Sequence, residues 1–142
     1  MTCIAWDGET LAADRQASLG SLRIVTTKIM RLPDGSLCGG SGDGPMIRAL
    51  MQWAIDGMSE TDFPEGNKDV EADLLHIALD KTCNLYTANR HPLRIEQPFM
   101  ATGSGRDFAM AAMYLGKTAS EAVAVAAALD TGVGHDIDEL TL

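Results

Sequence analysis

Two short apolar runs open the chain, Thr2–Trp6 and Thr10–Asp14, and Asp7-Gly8 between them is a strong hairpin signal. The pattern predicts that the first residues lie inside a sheet and do not fray. A polar stretch, Arg15–Ser21, leads to two further β-prone runs, Leu22–Thr27 and Lys28–Leu32. Pro33-Asp34-Gly35 marks a second turn, and Ser36-Leu37-Cys38 reads as a short strand running into a glycine cluster. Residues 1–40 therefore read as one antiparallel meander.

The period then changes. Asp43 is an N-cap with Pro45 in the first turn, and Met46, Ile47, Leu50, Met51, Trp53, Ala54 and Ile55 form a wide apolar face at helical spacing. Gly57 ends that helix. Met58–Asp69, with Pro64, Gly66 and several acids, reads as a surface loop. Leu74–Leu79 and Cys83–Thr87 are strands around Asp80-Lys81, and Leu93–Glu96 and Phe99–Ala101 continue a second meander. Thr102-Gly103-Ser104-Gly105 then stops the chain before a helix over Arg106–Leu115. Thr118-Ala119-Ser120-Glu121 is a capping box for a third helix, Ala119–Leu129, whose Ala and Val surface demands close packing against another apolar layer. The tail, Asp130–Leu142, is broken by glycine and then β-like. Strands, a helix, strands, two helices and a strand in that order predict an α+β fold with two antiparallel sheets.

Composition narrows the class. A chain of 142 residues is the size of one domain, 1–142, and can close a core without metal or disulfide staples. Its net charge of −9 repels phosphate, which argues against nucleic acid and anionic membrane as partners. The longest apolar stretch, Ala122–Leu129, is far too short to span a bilayer. Asp7 comes early and no basic segment precedes an apolar run, so a secretory signal is not expected. Cys3, Cys38 and Cys83 are odd in number and widely spaced, which predicts neither a disulfide framework nor zinc. The expected location is the cytosol.

Few motifs carry chemistry. Gly39-Gly40-Ser41-Gly42-Asp43-Gly44 looks like a phosphate cradle but lacks the Lys-Ser/Thr of a P-loop, and Asp43 sits where a phosphate would. A tight strand-to-helix turn explains it better. His76, His91 and His135 have no partner at ligand spacing, so no metal or other cofactor is expected. The acids of Glu60–Asp73 suit a solvated face, the methionines suit helix cores, and no G-x-S-x-G elbow exists. Thr2 remains. Removing Met1 would leave an α-amine and a β-hydroxyl on one rigidly held residue, so the amine could take the hydroxyl proton. Such an amine titrates near pH ~8, and a neighbouring ammonium lowers it further.

In this setting the sequence resembles the proteasome β-subunit family of N-terminal-threonine hydrolases, including the HslV-type peptidase. The matching segments are Thr2–Asp14, Gln16–Gly20, Lys28–Leu32, the Cys38–Asp43 glycine cluster, and Thr102–Gly105 before a helix. They run in order along nearly the whole chain. The resemblance implies a four-layer αββα sandwich with Thr2 as nucleophile and, through its amine, as base. It implies that Asp14 pairs with and orients Lys28, and that Lys28 depresses the pKa of the amine. Gly39 matches the position whose N–H stabilises the oxyanion, and Ser104 the serine that relays the amine's proton. Asp130, with Thr131, matches the acidic and hydroxyl pair closing that network. A lysine and an aspartate in a β-rich core each need the other in any case, because an unpaired buried charge is costly.

The expected activity is hydrolysis of polypeptides through an acyl-enzyme on Thr2, without cofactor or metal. The resemblance further implies a homo-oligomeric ring fed by an ATPase unfoldase. Two other readings stand beside it: an inactive, self-assembling homologue of the same fold, and a small-molecule amidase using the same N-terminal chemistry.

Overall fold

A computed structural model describes residues 1–65, 69–87 and 89–142. Among the described residues, eleven strands and three α-helices follow one another as β1 (Ile4–Trp6), β2 (Thr10–Asp14), β3 (Gln16–Leu19), β4 (Leu22–Val25), β5 (Ile29–Arg31), β6 (Leu37–Gly42), α1 (Gly44–Ile55), β7 (Ala72–Ile77), β8 (Cys83–Tyr86), β9 (Leu93–Ile95), β10 (Met100–Thr102), α2 (Arg106–Tyr114), α3 (Ala119–Leu129) and β11 (Ile137–Thr141). They form two antiparallel sheets, ordered β10-β1-β2-β11 and β5-β6-β7-β8-β9, and a separate ribbon β3-β4.

Strand periodicity builds the layers. In β1 and β2, Ile4, Trp6, Leu11 and Ala13 point toward the other sheet and meet Ile29, Leu37, Leu75, Ile77 and Leu85. The alternate residues, Ala5 and Ala12, point outward onto α2 and α3. Those helices present Ala109, Ala112, Ala119, Ala122, Val123 and Ala126, so small side chains on both surfaces let helix and sheet approach closely. On the far face of the second sheet, α1 packs Leu50, Trp53 and Ala54 onto Leu32, Cys38, Ala72 and Leu74. The result is the four-layer αββα sandwich. Burial of each fully enclosed Leu or Ile contributes about 1.5–3 kcal/mol.

The helix signals hold at residue level. Asp43 accepts the amide of Met46 at 3.1 Å. Thr118 and Glu121 form the reciprocal capping box. The meanders differ from the expectation. Residues 1–40 divide between the two sheets, because Gln16–Leu19, read as a polar connection, is a strand of the ribbon that carries the chain across. Likewise β10 leaves the second meander after Gln97-Pro98 and pairs with β1, Ala5 opposite Ala101. The glycine cluster is strand up to Gly42, not a turn. A Cβ on Gly39 would meet Ile29 and Ile4, and one on Gly40 would meet Ile47 of α1, so both faces of β6 demand glycine there. The turn itself is compressed to Gly42, at φ +115° and hard against the backbone of Glu71. Met58–Asp69 begins with a short 3-10 turn at Glu60–Asp62, and Phe63 packs edge-on to Trp53, 4.9 Å between ring centres; its residues 66–68 lie outside the described residues.

One core histidine makes stability pH-dependent. His76, buried on β7, bonds Ser36 Oγ through Nε2 at 3.1 Å, and its Nδ1 has no partner. Burial pulls its pKa below the ordinary 6.5, against the attraction of Asp34. The folded protein therefore takes up a proton here less readily than the unfolded chain. This contribution to stability is complete above pH ~6.5 and is lost as the pH falls through that value toward the lower folded pKa. Urea titrations at pH 7.5 and 5.5 should show a larger loss of stability in the wild type than in His76→Gln. Equal losses would contradict this.

Candidate active site

Thr2 and Cys3 lie just ahead of β1 and are pinned on every side. The Gly105 amide donates to the Thr2 carbonyl at 3.1 Å, Cys3 N–H donates to Asp14 Oδ1 at 3.0 Å, and Asp14 N–H returns to the Cys3 carbonyl at 3.1 Å. Gly103, at φ +94°, runs so close that a Cβ there would lie 2.1 Å from the Thr2 carbonyl oxygen. Only glycine permits that approach.

Asp14, the last residue of β2, is fully buried and its carboxylate accepts four bonds. Oδ1 takes Cys3 N–H and Lys28 Nζ, the latter at 2.8 Å; Oδ2 takes the amides of Gln16 at 3.1 Å and Gly134 at 2.9 Å. Lys28 precedes β5, and its Nζ reaches Asp14 Oδ1, Thr2 Oγ1 at 3.1 Å and the Met1 carbonyl at 3.4 Å. Three acceptors match the three donors of an ammonium. Burial draws the Lys28 pKa below 10.5, and the hydrogen bond and charge of Asp14 pull it back up.

On the other side of Thr2, its backbone nitrogen lies 3.2 Å from Ser104 Oγ, which donates to Asp130 Oδ2 at 2.9 Å. Asp130 is itself held by the Gly132 amide at 2.8 Å. Residues from four separate stretches of chain thus converge on Thr2. With Met1 in place the nitrogen is an amide without a basic lone pair, and Thr2 Oγ1 donates to the Met1 carbonyl at 2.8 Å. Met1 is 65% exposed and open to removal. Its loss would free an amine between Ser104 and the Lys28 ammonium, beside its own hydroxyl. The neighbouring Cys3 offers no competing nucleophile, because burial pushes its thiol up to about 12.

The structure brings together Thr2, Asp14, Lys28, Ser104 and Asp130. It does not bring Gly39 to them. In a strand, consecutive amides point to opposite neighbours. Gly40 N–H donates to the Lys28 carbonyl at 3.2 Å, so the Gly39 amide faces β7, where Gly39 stands opposite Leu75. Gly40, not Gly39, lines the groove beside Thr2. Register decides this, and adjacent glycines give no sign of register. Thr131 joins through its carbonyl, which accepts Gln16 Nε2 at 3.2 Å. Sequence reasoning also missed the Gln16 and Gly134 amides on Asp14. Gly134 carried a faint signal, since a Cβ there would strike Gln16 at 2.6 Å.

The groove, about 440 Å³, runs from Thr2 and Lys28 between the ribbon (Ala17, Ile24) and α1 (Ile47, Arg48, Met51).

No protein-family model and no curated protein matches the sequence. Solved structures do match in fold. Over 99% of both chains this protein superposes on eukaryotic HslV from Trypanosoma brucei, with a TM-score of 0.72 and 20% identity. BPH of Thiobacillus denitrificans in complex with epoxomicin gives 0.68 at 17% identity over 99% of this chain and 97% of that one. BPH alone gives 0.66 at 18%, over 99% and 96%. The architecture is that of the HslV and proteasome-type β-subunits.

Proposed function

We propose that the chain, once Met1 is removed, is a threonine peptidase that hydrolyses polypeptides through an ester on Thr2. The observation that carries this is the convergence on one residue of Lys28 Nζ at Oγ1 and Ser104 Oγ at the nitrogen, 3.1 and 3.2 Å away. The fold shared with HslV and BPH supports it.

In the proposed reaction the freed amine accepts the Oγ1 proton as the oxygen attacks the scissile carbonyl carbon. The C–N bond breaks as the ammonium returns its proton to the departing amine, with Ser104 and Asp130 steadying the transfer. Water then adds to the ester, the amine takes a proton from it, and acid and free Thr2 result. Lys28 remains charged throughout. It polarises Oγ1 and keeps the amine deprotonated near neutral pH by like-charge repulsion.

Assembly into a ring is part of the proposal. The ribbon exposes Leu19, Leu22 and Val25, each more than 60% exposed, and α2 ends in the exposed pair Tyr114 and Leu115. Surfaces of this kind gain from burial between copies. An ATPase unfoldase and a cytosolic location complete the reading.

Intact mass after expression, followed by epoxomicin treatment and peptide mapping, tests the function. Loss of one methionine and an adduct confined to Thr2 are expected. A processed chain that neither forms the adduct nor cleaves any peptide would overturn the reading.

A further inference from the structure

The groove beside Thr2 holds a charge that the proposed chemistry leaves unused. Among the described residues two cationic side chains line it, Lys28 and Arg48, and no carboxylate does. Lys28 is committed to Asp14 at 2.8 Å. Arg48, exposed on α1, has no hydrogen bond or ion pair among the described residues. Its guanidinium lies over the backbone of Gly44, where a Cβ would come within 3.8 Å of Nη1. The rest of the wall is uncharged, with Ile24, Ile47 and Met51 beside Gln16, Ser18, Thr26 and Thr27. In a chain of net charge −9, a groove with no acid in its described lining and an unpaired guanidinium is a place where an anionic group meets less repulsion.

The direction of the substrate follows from what the groove excludes. Ser104, at the Thr2 nitrogen where the departing amine must collect its proton, and Asp130, bonded to Ser104, do not line it. In the proposed reaction the leaving half of the substrate would face that pair, and the acyl half would lie along the groove, past Arg48. A carboxylate there gains a charge-assisted contact with a guanidinium fork, and an ammonium meets repulsion with no lining acid to offset it.

We propose that Arg48 makes this groove select polypeptides with an aspartate or glutamate among the three residues that precede the cleaved bond. The inference rests on the peptidase reading and adds a substrate class to it. An uncharged lining alone would favour uncharged side chains, so the preference belongs to one guanidinium and should weaken with salt.

Peptides identical except for Glu, Gln or Lys, placed in turn at each of those three positions, test it on the processed protein. At one position at least, kcat/KM for Glu should exceed that for Gln by about tenfold, with Lys lowest. Arg48→Gln should level the series and Arg48→Glu should invert it. Equal rates for Glu and Gln at all three positions, with Thr2 still labelled by epoxomicin, would overturn the role of Arg48 and leave the peptidase reading intact. Should no peptide turn over and no label form, the peptidase reading fails. Fluorescence anisotropy of the same peptides then decides Arg48 separately: Glu binding tighter than Gln, and lost in Arg48→Gln, supports it, and equal binding overturns it.

Discussion

Thr2→Ala is expected to lower peptide turnover by on the order of 10⁴–10⁶-fold and to leave the protein folded. The scale is that of removing a nucleophile from a site whose parts act as a unit. Alanine keeps the backbone contacts that hold the segment, the Gly105 amide on the residue-2 carbonyl and the residue-2 nitrogen on Ser104. It deletes the γ-methyl and the hydroxyl; losing the hydroxyl's bond with Lys28 costs about 1 kcal/mol. Alanine at position 2 is small, so Met1 processing should continue. Parallel measurements of kcat/KM and of urea unfolding separate the two effects. Activity within tenfold of wild type would remove Thr2 from the mechanism.

The largest stability effect belongs to Asp14→Ala, with an expected loss of about 3–5 kcal/mol. The substitution leaves Lys28 buried without its counter-charge and strips the acceptor from the amides of Cys3, Gln16 and Gly134. Against a typical total of about 5–15 kcal/mol, that leaves a marginal fold. The double variant Asp14→Ala/Lys28→Met removes the stranded charge as well and should recover part of the loss, giving a coupling energy in a double-mutant cycle. Strict additivity in urea titrations would mean that the two side chains do not stabilise each other. Neither variant should cleave peptide at more than a small fraction of the wild-type rate, since the amine loses its tuning cation or that cation loses its anchor.

The three helices were legible in the sequence because each carries its own punctuation: Asp43 and Pro45 for α1, the Thr118–Glu121 box for α3, and Gly103–Gly105 ahead of α2. Strand positions were largely legible too, but strand partners were not. Which sheet a strand joins depends on contacts far along the chain, and nothing local to Met100–Thr102 announces that it pairs with Ile4–Trp6. The Gln16–Leu19 strand was hidden by its polarity, which follows from its place in a ribbon outside the two sheets. At the site, Asp14, Lys28 and Ser104 could be named because buried charges and a Gly-Ser-Gly turn are conspicuous. Gly39 lies off the groove for a simple reason. Two adjacent glycines look alike in sequence, and only the ladder shows which amide faces Lys28 and which faces Leu75.

The account depends on the liberated amine of residue 2 being the base, tuned by a cation held in place by Asp14. A ¹⁵N-detected pH titration of that amine in the processed protein measures this directly. The expected apparent pKa lies below the ordinary α-amine value of about 7.7–8.0, and it should rise when Lys28 is replaced by methionine. An amine that titrates at its ordinary value, unmoved by the loss of Lys28, would contradict the account.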